Sequence, residues 1–264
     1  MGKQRIQEAF AELEKQGGKA FIPYIMAGDG GFEKLKKELM FFEKAGATAV
    51  ELGIPFSDPV ADGPTIQKAG QRALEHGTTL ELVLAHVKEI RKEVKIPIVL
   101  MTYLNPVFAY GIPRFAGDCK AAGVDGCIIP DLPYEEEEII SNYLAEAGLA
   151  LIRLVTLTST KERIAKLAKS AEGFLYAVTI TGITGARDTF SQEVTSYLEQ
   201  VKELSPIPVL AGFGISSPVH VAAAIKACDG VIVGSRIIDL IEKNDFEAIK
   251  EMISASKIGE ISLS

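Results

Sequence analysis

The sequence predicts an α/β fold, a single-domain (β/α)8 TIM barrel over residues 1–264 with an extra helix before the first strand. Short, apolar, β-branched runs alternate with longer stretches of helical period, and this alternation repeats about every 25 to 35 residues. Eight such runs are present, and no linker, low-complexity stretch or composition break divides the 264 residues. One closed barrel is therefore favoured.

The apolar runs place the predicted strands at 20–27, 48–53, 97–103, 126–130, 149–156, 174–180, 208–212 and 230–234. Helical periodicity predicts helices at 3–16, 32–44, 65–76, 80–93, 135–147, 161–170, 192–204, 218–227 and 245–255. The main alternative is an open, doubly wound sheet. Residues 27–31, after the first strand, do not fit the Gly-x-Gly-x-x-Gly fingerprint of such sheets, so the barrel is preferred.

The composition excludes several classes of function. Lys and Arg total 28 against 35 Asp and Glu, and the net charge of -7 disfavours a broad surface for nucleic acid or acidic membranes. Cys119, Cys127 and Cys228 lack the close spacing of metal or redox pairs, so we expect free core thiols in a reducing compartment. No apolar run approaches the roughly 18 residues of a membrane span. We expect a cytoplasmic protein, with a plastid form lacking its transit peptide as the alternative.

Two carboxylates are candidates for proton transfer, because barrel enzymes carry their chemistry at the C-terminal ends of strands. Glu51 lies near the end of the second predicted strand between apolar residues, and desolvation there would raise its pKa toward neutrality. Its alternative role is in a buried structural ion pair. Asp62 follows on a loop rooted at the same strand end, and the two side chains can share proton transfer and cation stabilisation. Asp-Gly-Pro before a helix is also typical capping chemistry.

Glycine loops follow the seventh and eighth strands and feed helices. They contain Gly214 and the pair Gly234 and Ser235. Glycine lets backbone N–H groups approach an oxyanion, helix N-termini add partial positive charge, and barrels place phosphate sites at these two positions. A phosphate-bearing substrate is therefore predicted, although βα turns also need glycine for their geometry. The long loop 181–191 after the sixth strand can close over a substrate, with Gly185 adding an N–H, or be merely mobile.

Several apolar or aromatic side chains near predicted strand ends can line a flat pocket, although each alone is more often a core residue. They are Tyr24, Met101, Tyr103, Leu132 and Tyr176. The histidines fall on helices or at a helix start, without a second ligand at metal spacing. No metal is therefore predicted.

The sequence resembles the tryptophan synthase alpha chain family over essentially its whole length. The motifs are Glu-Leu-Gly-Ile-Pro-Phe-Ser-Asp-Pro at 51–59, Ala-Asp-Gly-Pro-Thr-Ile-Gln at 61–67, and the segments 182–185, 212–216 and 234–235. The resemblance implies a barrel that cleaves indole-3-glycerol phosphate to indole and glyceraldehyde 3-phosphate, with no cofactor in this chain. It implies that Glu51 is the acid/base, that Asp62 accepts the indole N–H and stabilises positive charge, and that Tyr176 supports the acid/base.

The resemblance also implies the remaining contacts and a partner. Phosphate contacts would be Gly185, Gly214, Gly234 and Ser235, and the indole pocket would include Tyr24, Met101, Tyr103 and Thr184. Family members pair with a pyridoxal-phosphate-dependent beta chain, so an alpha2beta2 complex is expected, with the cofactor in the partner. Partner contacts would include Pro55, Asp58, Asn105 and Phe108. Tyr24 and Pro130 depart from the family pattern, since relatives often have Phe and a smaller residue at these positions.

Other functions stay open at this stage. Another phosphate-binding barrel of histidine or tryptophan biosynthesis would share the glycine loops but not the acid pair. The synthase that makes indole-glycerol phosphate needs a lysine at a strand end, and the predicted strands lack one except at a flank. A stand-alone lyase would have the same residues and no partner. A mainly allosteric binding partner of a beta chain would not need Glu51 and Asp62 intact.

Overall fold

The computed structural model describes residues 2–179, 192–212 and 214–257. Within them, eight parallel strands follow one another in chain order around a closed barrel, which confirms the predicted fold. The strands are β1 (Ala20–Met26), β2 (Val50–Gly53), β3 (Ile98–Met101), β4 (Gly126–Ile128), β5 (Ala150–Thr156), β6 (Leu175–Val178), β7 (Val209–Gly212) and β8 (Gly230–Val233). Each lies inside one of the predicted apolar runs.

Helices alternate with these strands. They are α1 (Lys3–Lys15), α2 (Phe32–Ala45), α3 (Pro64–Glu75), α4 (Leu80–Ile90), α5 (Leu104–Tyr110), α6 (Ile112–Ala122), α7 (Glu138–Ala147), α8 (Lys161–Ser170), α9 (Gln192–Leu204), α10 (Pro218–Ala224), α11 (Ser235–Glu242) and α12 (Phe246–Ala255). In the described ranges, every helix is too short or too polar to cross a bilayer.

Three predicted helix boundaries were wrong by three residues, and the helix expected at 218–227 is one of them, since α10 ends at Ala224. The helix expected at 80–93 ends at Ile90, because the residues after it continue as tight hydrogen-bonded turns. The helix expected from 135 begins at Glu138, after a single 3-10 turn at Tyr134–Glu136. Pro133 precedes that turn with a φ of -65°. Its fixed φ suits an entry to helical backbone, so the chain turns before the α-helix starts.

Helices α5 and α6 were not predicted, and α11 was expected only as a helix fed by the glycine loop of Gly234 and Ser235, without bounds of its own. Pro106, Gly111 and Pro113 make the segment after β3 read as a loop, yet both prolines fall in the first turn of a helix, where a missing N–H is tolerated. Gly111, with a φ of 92°, separates the two helices. α11 begins directly after Gly234, so no polar stretch in the sequence marks its start.

The extra helix α1 covers the amino-terminal end of the barrel, as expected. Ile6 is completely buried among residues of the barrel interior, and the Phe10 ring lies 5.9 Å from the Phe174 ring. With this end filled by side chains, a ligand can enter only where the strands end at the opposite face.

A buried carboxylate fastens α1 to the barrel. Asp125, directly before β4, is fully buried and pairs with Arg5 of α1 and with Arg91, whose Nη2 lies 2.6 Å from Oδ2. It also accepts the Ile98 backbone N–H at 2.9 Å. The Asp125 carboxylate therefore links α1, the end of α4 and β3 at the amino-terminal end of the barrel.

We expect Asp125→Ala to lower the free energy of unfolding by about 3–5 kcal/mol, because it leaves two guanidinium groups without their buried carboxylate. Urea unfolding followed by circular dichroism measures this loss. Glu89→Ala is the control, since it breaks an exposed pair with Lys92 and should change stability little. Equal stabilities of the two variants would contradict this structural role of Asp125.

Candidate active site

Glu51 is buried in the upper part of the barrel interior. It lies in register with Tyr24 on β1 and Val99 on β3, is 4% exposed, and its Oε2 atom has no hydrogen-bond partner within the described part of the chain. Burial, followed by the nearby charge of Asp62, raises the pKa of Glu51 to about 8. Among the described residues, no cation forms an ion pair with it, so the structural ion-pair alternative has no support there. At neutral pH the carboxyl holds its proton and can act as an acid.

Asp62 is half-buried on the loop between β2 and α3. Gly63 is the N-cap of α3 and no side chain caps that helix, so the capping role is excluded. The Tyr103 hydroxyl accepts the Ala61 backbone N–H at 3.0 Å and lies close enough to Asp62 to lower the pKa of its carboxyl group. Burial raises the pKa of Asp62 to about 6, against the lowering effect of the Tyr103 hydrogen bond. Asp62 is therefore ionised at neutral pH, where Glu51 is not.

The Tyr103 contact was not foreseen from the sequence. Tyr103 is 1% exposed and its ring lies 5.4 Å from that of Phe56, so packing fixes its orientation. It follows β3 and is not among the residues that line the cavity, so its expected role in the indole pocket stays a prediction, while its hydroxyl holds the Ala61 backbone next to Asp62. No sequence signal marks this contact, because it joins two separate loops of the barrel mouth.

Two further tyrosines lie close to the acid pair, and both fit against glycines. A Cβ added to Gly53 would lie 2.1 Å from the Tyr24 hydroxyl oxygen, and one added to Gly212 would lie 2.4 Å from that of Tyr176. Each tyrosine thus occupies space that a side chain on the next strand would need. The charge of Glu51 contributes to raising the pKa of both phenols, after the larger effect of burial. The two hydroxyl groups are therefore close to Glu51 and neutral.

A cavity of about 950 Å³ opens at the carboxyl ends of the strands. Its wall includes Asp62, Gly214 and Ser235, together with apolar side chains such as Leu132 and Leu154. Gly214 has a φ of 76°, and Ser235 is the first residue of α11. The first N–H groups of a helix lack intrahelical acceptors, so this wall suits an anion. The cavity therefore has one wall suited to an anion, with Gly214 and Ser235, and another wall that carries the Asp62 carboxylate.

The other predicted site residues divide into three groups. Tyr24 and Met101 lie in the barrel interior with Glu51, and none of these three forms the wall of the cavity. Gly185 and Thr184 fall outside the described residues. Gly234 directly precedes α11, as expected for a helix-terminal anion site.

The residues expected to contact a partner lie on the loop after β2 and on helix α5, which follows β3. Asp58 and Asn105 are exposed, and Phe108 is 48% exposed, which is unusual for so large an apolar side chain. Val60, which was not singled out, is 82% exposed on the same face. Pro55 is buried, so its ring shapes the loop from within.

Comparison with known proteins decides the family. A family model described as the tryptophan synthase alpha chain matches residues 10–260. The chain belongs to the tryptophan synthase alpha chain family. A member from Bacillus cereus (strain B4264) is 56% identical over 257 residues, which cover 97% of this chain and 98% of that protein.

Solved structures agree with this family. A tryptophan synthase from Mycobacterium tuberculosis superposes with a TM-score of 0.89 at 33% identity, covering 97% of this chain and 99% of the other. The tryptophan synthase subunit alpha of Legionella pneumophila gives a TM-score of 0.86 at 35% identity, with coverages of 97% and 98%.

Proposed function

We propose that this chain is the alpha subunit of a tryptophan synthase and acts as the lyase that cleaves indole-3-glycerol phosphate to indole and glyceraldehyde 3-phosphate. The observation that carries this assignment is the placement of two carboxyl groups at the mouth of the barrel: Glu51 is buried with Oε2 unpaired among the described residues, and Asp62 lines the cavity together with Gly214 and Ser235. The family membership supports the same reaction.

The two carboxyl groups have separate tasks: Glu51 transfers protons and Asp62 stabilises positive charge. Glu51 donates its proton to C3 of the indole, which gives an indolenine, and the resulting carboxylate then takes the proton of the adjacent side-chain hydroxyl. Loss of that proton forms the aldehyde as the C–C bond breaks, and its electron pair returns to the ring. Asp62 accepts the indole N–H and stabilises the positive charge that develops on the ring. The net result is transfer of one proton from oxygen to carbon, so Glu51 ends protonated.

The phosphate of the substrate would bind at the opposite wall. Backbone N–H groups around Gly214 and at the start of α11, with the Ser235 hydroxyl, can hold it without a cationic side chain. Gly185 and Thr184 would complete the phosphate and indole contacts. The apolar wall between Leu132 and Leu154 suits the indole ring.

No cofactor is needed for this step in the chain itself. We propose that a beta chain, carrying pyridoxal phosphate, binds the face with Asp58, Asn105 and Phe108 in an alpha2beta2 complex and consumes the indole. A cytoplasmic location goes with this proposal.

The deciding experiment measures indole formation from indole-3-glycerol phosphate, with and without a beta chain. Cleavage that rises when the beta chain is added supports the proposed subunit. Equal cleavage in both cases indicates a stand-alone lyase. No cleavage in either case, with binding of the beta chain, leaves only an allosteric partner and contradicts the proposed activity.

We expect Gly214→Val to raise KM for indole-3-glycerol phosphate by about 10-fold or more, because a side chain there displaces N–H groups from a charged ligand. Steady-state kinetics and calorimetric titration with inorganic phosphate measure the effect. Gly77→Val is the control, since Gly77 has a similar φ of 75° and no atom within 4 Å of an added Cβ. Both variants lose stability through backbone strain. An unchanged KM for Gly214→Val would place the phosphate elsewhere.

A further inference from the structure

Two neighbouring polar atoms of the barrel mouth have no hydrogen-bond partner among the described residues. They are the hydroxyl oxygen of Tyr24 and Oε2 of Glu51. The residues are in register on adjacent strands, and each is 4% exposed. A buried polar group without a partner costs about 1–3 kcal/mol, so an orphaned pair at one point of a site needs an explanation.

The position of the Tyr24 hydroxyl follows from Gly53. Glu51 and Gly53 share the inward face of β2, since alternate residues of a strand point the same way, and Gly53 lies nearer the mouth. The Tyr24 hydroxyl oxygen lies 2.1 Å from where a Cβ of Gly53 would be. The Tyr24 ring therefore leans across from β1 to β2, and its hydroxyl lies on the mouth side of Glu51.

The two orphan atoms belong to residues in register on adjacent strands and do not bond to each other. A third polar atom between them would satisfy both. It must accept a hydrogen bond from the phenol, which stays protonated because burial and the charges of Asp62 and Glu51 raise the pKa of Tyr24. It must also donate to the Glu51 carboxylate. A hydroxyl group meets both requirements, whereas an indole N–H can only donate.

We propose that the Tyr24 hydroxyl binds the carbinol oxygen of the substrate, which is the hydroxyl on the carbon attached to indole C3. This inference rests on the proposed function and extends it to one substrate oxygen. The phenol donates to the carbinol oxygen, while the carbinol O–H donates to Glu51 once that group has given its proton to C3. The phenol then remains a donor to the same oxygen as it becomes the aldehyde carbonyl. Tyr24 is thereby a substrate contact through its hydroxyl as well as its ring.

The test compares Tyr24→Phe with the unmodified chain on two compounds. The first is indole-3-glycerol phosphate, and the second is its analogue with hydrogen in place of the carbinol hydroxyl, used as a competitive inhibitor. We expect kcat/KM for the substrate to fall about 3- to 10-fold, the effect of one hydrogen bond, and Ki for the analogue to change less than about 2-fold. A role in packing alone would move both values together.

Tyr197→Phe is the matched control. Tyr197, on α9, also has a buried hydroxyl without a partner among the described residues, but it lies outside the acid pair's surroundings. Removal of the Tyr197 hydroxyl should leave kcat/KM for the substrate and Ki for the analogue unchanged. Neither substitution should lower the melting temperature, because each removes an unpaired buried hydroxyl.

The outcomes separate this inference from the proposed function. Normal cleavage by the unmodified chain, with kcat/KM of Tyr24→Phe unchanged or with substrate and analogue affected equally, overturns the role of the Tyr24 hydroxyl. Absence of cleavage by the unmodified chain, with and without a beta chain, overturns the proposed function itself.

Discussion

Glu51→Gln is expected to lower kcat for indole formation by roughly 10³-fold or more, because one carboxyl group performs both proton transfers of the reaction. The amide has nearly the same shape and cannot donate a proton to C3 or accept one from the carbinol hydroxyl. Binding of a phosphate-bearing ligand should be unchanged, since the phosphate wall around Gly214 and Ser235 is separate from Glu51. Retained turnover would contradict the assigned role.

The same variant should be more stable than the parent chain at alkaline pH. Glu51 has a pKa of about 8 in the folded chain, above its ordinary value of 4.5, so the folded state binds this proton more tightly than the unfolded state. Folding stability from this group is fully present below pH 4.5 and is lost as pH rises to about 8. The glutamine side chain does not titrate. Urea unfolding at pH 5 and pH 9 should show the advantage of Glu51→Gln only at the higher pH.

Glu38→Gln is the control for the activity measurement. Glu38, on α2, is 5% exposed, and burial raises its pKa to about 7, so it is a second buried carboxyl group with a similar perturbation. It pairs with Lys34 at 3.5 Å, outside the barrel mouth. We expect Glu38→Gln to retain full activity. A comparable loss of activity in this variant would show that general destabilisation, and not proton transfer, explains the effect at Glu51.

Asp62→Asn is expected to lower kcat/KM by about 10²-fold, because a neutral amide stabilises the indole cation less than a carboxylate does. The pH profile should change as well. The unmodified chain should show a bell-shaped kcat/KM with limbs near pH 6 and pH 8, for ionisation of Asp62 and of Glu51. Because the two groups interact, the apparent pKa of each limb describes the pair of Glu51 and Asp62 and not one residue alone.

The asparagine variant should lose the acidic limb, and its alkaline limb should move to lower pH. The alkaline limb should move because the Asp62 charge contributes to raising the pKa of Glu51, and the asparagine lacks that charge. Tyr103→Phe provides a companion test, since the Tyr103 hydrogen bond lowers the pKa of Asp62 and its loss should move the acidic limb to higher pH. An alkaline limb that stays in place in Asp62→Asn would contradict electrostatic contact between the two acids.

The candidate acids could be predicted because each conflicts with its local sequence. A glutamate within an apolar strand is costly to bury, and an aspartate on a loop rooted at the same strand end lies near it, so the two positions together indicated chemistry. The sequence left two alternatives open, an ion pair for Glu51 and a cap for Asp62. The structure shows that Gly63, and not Asp62, is the N-cap of α3, and that no described cation pairs with Glu51.

The missed features all depend on contacts between distant segments. Helix α5 reads as a loop because Pro106 disfavours helix in a sequence window, although its place in the first turn makes it harmless. Gly53 is an ordinary strand glycine in the sequence, and only the structure shows that the Tyr24 hydroxyl occupies the position of its missing Cβ. Tyr103 is one aromatic residue among several in the sequence, and only the structure shows that its hydroxyl and the Asp62 carboxyl group affect each other's pKa.

The sequence by itself determined the alternation of strands and helices, the positions of the two acids and the glycine loops, because these depend on residue type and spacing along the chain. Tertiary structure decided the charge states and the unpaired atoms. A pKa depends on how completely closure of the barrel removes water, and an orphaned hydroxyl depends on which side chains of neighbouring strands meet. Both are set by residues far apart in the chain, so no local pattern records them.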